Sequence, residues 1–372
     1  MRFTEQEILN RFQSARESYR PLVTMNLCLS SSSTESLLPD AFVKFTLDQN
    51  TGFEAMIEVV PRATPKNIIQ ACWQLREYLN YPQYQNKLPL VLAPYISPQQ
   101  AELLKDKQVS WIDLSGNMLV RVPPSIYLER SGNKNQFPDS APIKKIFQGT
   151  SSLISRALLL RPRGFSSLKD INEYIQERGI IIEPRKLPKP VPSTISRVIN
   201  ILEEELLVRK DKSGIQVIRA EMLLNKLSDG YLKIKQDAFS TKRYFSEVPI
   251  EKLITSAFFE NNEFVVGGYS AAQLKGLAVT DKLTIYQDII KFQPIDIAEY
   301  SGGKIRLDDE FGQIEVIQCR GNIPLFNARQ LPPTGPFIID DLQLYLEMAC
   351  STPRGPEIAE KLKPRILEGF SA

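Results

Sequence analysis

The run Pro192-Ser193-Thr194-Ile195-Ser196-Arg197-Val198-Ile199-Asn200-Ile201-Leu202 carries two series at helical spacing. Ile195, Val198, Ile199 and Leu202 form an apolar side. Ser193, Thr194, Ser196, Arg197 and Asn200 form the opposite side. Short hydroxyls, one guanidinium and one carboxamide near a helix start suit hydrogen bonds to phosphate oxygens and to base edges. Ser193 is placed to cap the helix. Lys169, Arg185, Lys186, Lys189, Lys210 and Lys212 lie to either side in sequence. Cations of this kind contribute affinity for a polyanion without reading its sequence.

The elements needed to hold that face are legible around it. Ser151–Leu160 is apolar at helical spacing and stops at Arg161-Pro162-Arg163-Gly164. Ser167 is a cap residue for a second helix with Leu168, Ile171 and Ile175 on one side. Leu206–Arg209 and Ile215–Arg219 read as strands joined by the basic tip Lys210-Asp211-Lys212-Ser213-Gly214. Three helices and a hairpin over 151–219 make a winged helix-turn-helix, whose third helix enters the major groove of double-stranded DNA. Gly179–Pro192 departs from that plan. It lengthens the link between the second and third helices with four prolines and three basic residues. Such an arm can follow a phosphate backbone or enter a minor groove, or be a surface loop without a partner. A module of three helices and a hairpin can also dock proteins.

Composition limits the alternatives. The chain has no histidine, which excludes His-based triads, general bases and metal ligands. Cys28, Cys72, Cys319 and Cys350 are too scattered for a zinc knuckle or a disulfide framework. Apolar and charged contents of 42% and 24% are those of a globular chain. No apolar run is long enough for a membrane span, and the N-terminal residues lack a signal-peptide pattern, so a cytoplasmic location is expected. Charge is uneven. Residues 1–143 balance at about 0, residues 144–245 carry about +9 and residues 246–372 about −6. The middle third is the face for a polyanion, and the acidic last third suits a basic protein or solvent.

Residues 1–140 read as a helix, two strands, then helix-strand-helix-strand. That order, with Glu58 on the second strand, resembles the restriction-endonuclease-like fold. The resemblance implies a divalent metal held between an upstream acid, here Asp40 or Asp48, and the Glu of a Glu-x-Lys strand. Here that strand is Glu58-Val59-Val60, with valine at the lysine position and Lys66 further along. The unit therefore resembles a degenerate member.

Two further stretches carry a resemblance. One is Pro89-Leu90-Val91-Leu92-Ala93-Pro94-Tyr95-Ile96-Ser97-Pro98 followed by Trp111-Ile112-Asp113-Leu114-Ser115-Gly116-Asn117. In it Asp113 and Asn117 are suited to close a turn that Gly116 permits. The other is the final pair of helices, read over 337–347 and 354–362 and split at a Pro-Arg-Gly turn, Pro353-Arg354-Gly355. With the winged helix, these are similar to bacterial proteins grouped with AbiEi-type antitoxins of type IV toxin–antitoxin systems. The strand–Gly267-Gly268–helix–strand run resembles the start of a nucleotidyltransferase fold, but Lys282 and Thr284 stand where its Asp-x-Asp pair is expected. Two-metal chemistry is not expected without that pair.

The expectation is an α/β multidomain chain in three parts. They are a degenerate restriction-endonuclease-like unit at 1–140, a winged helix-turn-helix with a Pro-rich basic insertion at 144–235, and a degenerate nucleotidyltransferase-like α+β domain at 246–372. The expected function is sequence-specific binding of double-stranded DNA by a transcriptional autoregulator or antitoxin-like component of a phage-defence or mobile-element system. It would act as a homodimer or with a protein partner such as a cognate toxin. No catalytic residue, cofactor or metal is assigned. The alternatives are a metal-dependent nuclease, or the DNA-binding subunit of one, and a protein-interaction adaptor.

Overall fold

The computed structural model describes residues 3–29, 38–47, 51–137, 144–178, 192–233, 239–254, 264–288, 297–298, 303–319, 323–331, 335–351 and 353–370. Among these residues the chain is mixed α/β, with eleven α-helices and two seven-stranded mixed sheets. It divides into two compact units. One is residues 1–143 with 204–206; the other is residues 144–203 with 207–372.

The first unit is built on one sheet with its strands in sequence order: β1 (Val23–Leu29), β2 (Ala41–Thr46), β3 (Gly52–Val59), β4 (Leu88–Ala93), β5 (Ser110–Asp113), β6 (Met118–Val122) and β7 (Ile126–Arg130). β3, β4 and β5 run parallel, and the flanking pairs are antiparallel. Three helices supply its faces: α1 (Glu5–Ser14), α2 (Pro65–Tyr78) and α3 (Pro98–Asp106). α2 and α3 are the crossovers that parallel neighbours require. Ile8, Leu9 and Phe12 of α1 bury against Phe45, Ile57 and Leu92 on one face. Ile68, Leu75 and Leu104 bury against Met56, Val91 and Trp111 on the other. Because both faces are covered, β4 reads as one apolar run rather than as an alternation. Helix starts are set locally: Thr4 caps α1 in a box with Glu7, and Thr64 caps α2. β1 and β7, which edge the sheet, were not expected from the sequence.

The second unit begins with α4 (Ser152–Leu160), α5 (Leu168–Glu177), α6 (Pro192–Glu204), the hairpin β8 (Val208–Asp211) and β9 (Gly214–Val217), and α7 (Ala220–Leu232). The second large sheet follows. Its members are β10 (Phe239–Ser246), β11 (Phe264–Gly267), β12 (Leu283–Asp288), β13 (Ile305–Leu307), β14 (Ile314–Cys319), β15 (Arg329–Gln330) and β16 (Phe337–Ile338). They are ordered β13-β10-β14-β12-β11-β16-β15. The helices among them are α8 (Ile250–Ile254), α9 (Gly268–Leu274), α10 (Asp341–Ala349) and α11 (Gly355–Leu367).

One hydrophobic core runs from Ile146 through the three helices, across the sheet and into α10 and α11. Residues 144–235 and 246–372, read above as separate domains, therefore share one compact unit. The sequence also placed a helix over 337–347. Its first residues are β16, and α10 starts only at Asp341, where the Asp340 carboxylate accepts the Gln343 N–H at 2.6 Å.

Candidate nucleic-acid interface

α4, α5 and α6 pack around Leu153, Ile154, Leu158, Ile171, Ile175, Ile195, Val198, Ile199 and Leu202, all buried. Ser167 caps α5 as expected, its hydroxyl accepting the Asp170 N–H at 3.2 Å. Residue 165, between α4 and α5, forms an isolated antiparallel bridge with Ile215 of β9. The hairpin is thus tied to the turn that opens α5. The Asp211 carboxylate accepts the Ser213 N–H at 2.8 Å and closes the hairpin tip.

On α6 the two sides separate as the periodicity requires. Ser193, Arg197 and Asn200 are exposed and lie at i, i+4 and i+7, on one face of the helix. Thr194 and Ser196 are half-buried at its margins. Ser193 does not cap the helix: α6 already begins at Pro192, whose fixed φ suits a first helical position. Ser193 is an exposed first-turn residue. Arg197 makes no hydrogen bond or ion pair among the described residues, so its donors are available. Lys210 and Lys212 are exposed on the hairpin. Lys169 is exposed on α5 and lies 3.5 Å from Glu173. Arg185, Lys186 and Lys189 lie outside the described residues, as does Asp48.

Two cations near α5 are held rather than offered. Arg161 bonds Asp170 at 2.9 Å, and Arg178 stacks 3.4 Å from the Tyr174 ring centre. They stiffen the support of the face without adding to it.

Behind α4 lies a polar core that the sequence reading missed. Arg156 is 2% exposed, inside a leucine-rich helix that also buries Ser152 and Ser155. Burial pulls its guanidinium below the usual range, and the nearby Asp340, Tyr231 and Glu347 oppose that shift. Glu347 on α10 is also buried and accepts three hydrogen bonds. They come from the Gly268 N–H, the Tyr286 hydroxyl and the Gln343 amide, each at 2.8 Å. The same Gln343 amide donates to the Tyr231 hydroxyl at 3.1 Å. This network joins α7, β12, α9 and α10, with the Arg156 guanidinium of α4 close by. A lone Arg in a leucine-rich helix was the available signal.

The first unit holds a second constellation. Asp40 faces Glu58 across the β2–β3 hairpin, with its N–H on the Ile57 carbonyl and its carboxylate accepting the Val59 N–H at 2.7 Å. Burial, and then the charge of Asp40, raise the Glu58 carboxyl to about 8. The Tyr78 hydroxyl lies 2.8 Å from Glu58 and 3.0 Å from the Leu38 carbonyl. A protonated Glu58 can donate to Tyr78, which then donates to Leu38. Glu5 of α1 also feels Asp40, and its carboxyl is raised mainly by burial. Val60 is buried, and Lys66 is exposed on α2. No group of three or more His, Cys, Asp or Glu residues is arranged to hold a metal among the described residues. Burial raises both the Asp40 and the Glu58 carboxyl, and Glu58 is engaged by the Tyr78 hydroxyl.

The Asp113 turn forms as expected. Its carboxylate accepts the Ile96 N–H at 3.1 Å and the Asn117 N–H at 2.9 Å, while Gly116 takes φ +89°. Asn117 in turn accepts the Asn133 N–H at 2.8 Å. The Asp113 carboxylate and the Asn117 side chain thus bond within this turn and to the adjoining loops.

Compared with family models, with curated proteins and with solved structures, the chain matches none.

Proposed function

We propose that the chain is a sequence-specific double-stranded DNA-binding protein. In this reading α4–α6 and the β8–β9 hairpin are a winged helix-turn-helix, and α6 is the helix that reads the major groove. The observation that carries it is the exposed row Ser193, Arg197 and Asn200 on a helix whose opposite side is fully buried. Arg197 is the base reader, since a free guanidinium can bond guanine bidentately. Asn200 suits adenine by the same geometry. Ser193, Thr194 and Ser196 reach phosphates. Lys210 and Lys212 reach the backbone from the wing, with Lys169 and the basic arm at 185–189 adding non-specific affinity.

The role assigned to the whole chain is transcriptional autoregulation, or an antitoxin-like part in a defence or mobile-element system. That part of the reading rests on the sequence resemblance alone. The test is binding of the purified chain to duplex DNA from its own upstream region and to a scrambled duplex, over a salt series. Preference for the upstream fragment that survives high salt supports the reading. Equal and steeply salt-dependent binding to both leaves only a basic surface, and no binding makes the unit a protein-docking module.

The rival reading is a metal-dependent nuclease, and its support is that Asp40 faces Glu58. Against it, a buried valine, Val60, stands where that chemistry needs a lysine. Mg²⁺- or Mn²⁺-dependent cleavage lost on Glu58→Ala would favour it.

A further inference from the structure

α7 has two different sides. Leu223, Leu224, Leu227 and Tyr231 are buried in the core of the second unit. The outer side shows Met222, Asn225, Asp229 and Leu232, preceded by Ile218 just before the helix. Ile218, Met222 and Leu232 are 48%, 39% and 52% exposed, and they are among the few large apolar side chains so exposed in the second unit. Within α7, Met222, Asn225, Asp229 and Leu232 alternate in steps of three and four residues, which is the spacing of a coiled-coil seam. A helix already packed on one side therefore carries a second, narrower seam facing outward.

The order of residues along this seam is self-complementary. Two copies of α7 laid antiparallel about a two-fold axis level with residue 227 set Met222 against the second copy's Leu232. The same axis sets Asn225 against the second copy's Asp229, and each pair occurs twice. Apolar pairs fall at the ends and amide–carboxylate pairs in the middle. In a parallel arrangement Asp229 would meet Asp229, which like charges oppose. Polar residues inside a seam cost stability and fix its register.

We propose that this seam is a homodimer contact in which α7 pairs antiparallel with α7 of a second copy. One helix pair of this length buries less than about 1,200 Å² in total, at the low end for specific interfaces. The dimer is accordingly weak and forms at micromolar concentration. α7 begins three residues after β9 ends, so the two-fold axis also relates two hairpins and two α6 helices. The contact stands whether or not α6 reads DNA.

The test is sedimentation equilibrium of the full chain without DNA, over a wide concentration range at low salt. A reversible monomer–dimer equilibrium is expected for the natural sequence. Asn225→Asp sets Asp against Asp229 twice and weakens the dimer by about tenfold or more. Asn225→Lys sets opposite charges together and tightens it. Adding Asp229→Lys to Asn225→Asp restores association. All these positions are exposed, so the fold is retained, and circular dichroism checks that. A natural chain that stays monomeric over the whole range overturns the proposal. So does a dimer that responds to none of the three variants.

Discussion

Phe165 and Ile215 exchange both of their backbone hydrogen bonds, at 2.9 Å and 2.7 Å. This single pair fixes the β8–β9 hairpin to the turn between α4 and α5. Two glycines make it possible. Gly164 has φ +77°, and a Cβ there would sit 2.4 Å from the Ile215 carbonyl oxygen. Gly214 has φ +132°, and its Cβ would sit 2.4 Å from the Phe165 carbonyl oxygen. Both obstacles are backbone, which cannot swing aside. Gly164→Ala and Gly214→Ala should each cost about 1–3 kcal/mol, read from urea unfolding midpoints. Unchanged midpoints would mean that the hairpin is held by something else.

The Glu347 network sets how the second unit unfolds. Glu347→Ala strands the Gly268, Tyr286 and Gln343 donors and removes one of the two carboxylates, with Asp340, that offset the charge of the buried Arg156. Leaving buried donors without their acceptor costs about 1–3 kcal/mol. One core joins α4 to α10, so near-ultraviolet signals from both ends of the unit should be lost in one transition, and at lower denaturant in the variant. Two separate transitions, with only the later one moved, would contradict a shared core.

Glu58 gives the first unit a pH dependence of definite sign. Its carboxyl is raised in the folded chain to about 8, above the ordinary range. The folded state therefore binds the proton more tightly than the unfolded state. Stability from this group is full below the ordinary carboxylate range and is lost as pH rises toward 8. Glu58→Gln mimics the neutral form and keeps an acceptor or donor for Tyr78. It should flatten that decline and leave the variant more stable than the natural chain at pH 8 to 9. Parallel pH profiles for the two proteins would show that Glu58 is already ionised in the fold.

Much of the arrangement was legible from local rules. The apolar sides of α2, α4, α5 and α6, the cap at Ser167 and the turn at Asp113 all follow from periodicity and side-chain chemistry. What escaped was set at long range. β1, β7 and β10 are strands whose partners, not their composition, make them strands. Phe337 and Ile338 looked helical because they precede a helix, yet they pair with β11 and β15. Arg156 gave no sign that Glu347, far along the chain, would lie near it. The outward row on α6 was readable because one helix carries all of it. The carboxyl pair of Asp40 and Glu58 was readable only as a candidate, since the proton it favours depends on burial.

The assignment of α6 as a reading helix is tested most directly by two substitutions on two DNAs. Arg197→Ala and Lys210→Ala would be titrated by fluorescence anisotropy against the upstream duplex and a scrambled duplex, at several salt concentrations. Arg197→Ala should cost about 1–3 kcal/mol on the upstream duplex and little on the scrambled one. Lys210→Ala should weaken both evenly and reduce the salt slope by about 1. Equal losses on both duplexes for Arg197→Ala would contradict the assignment.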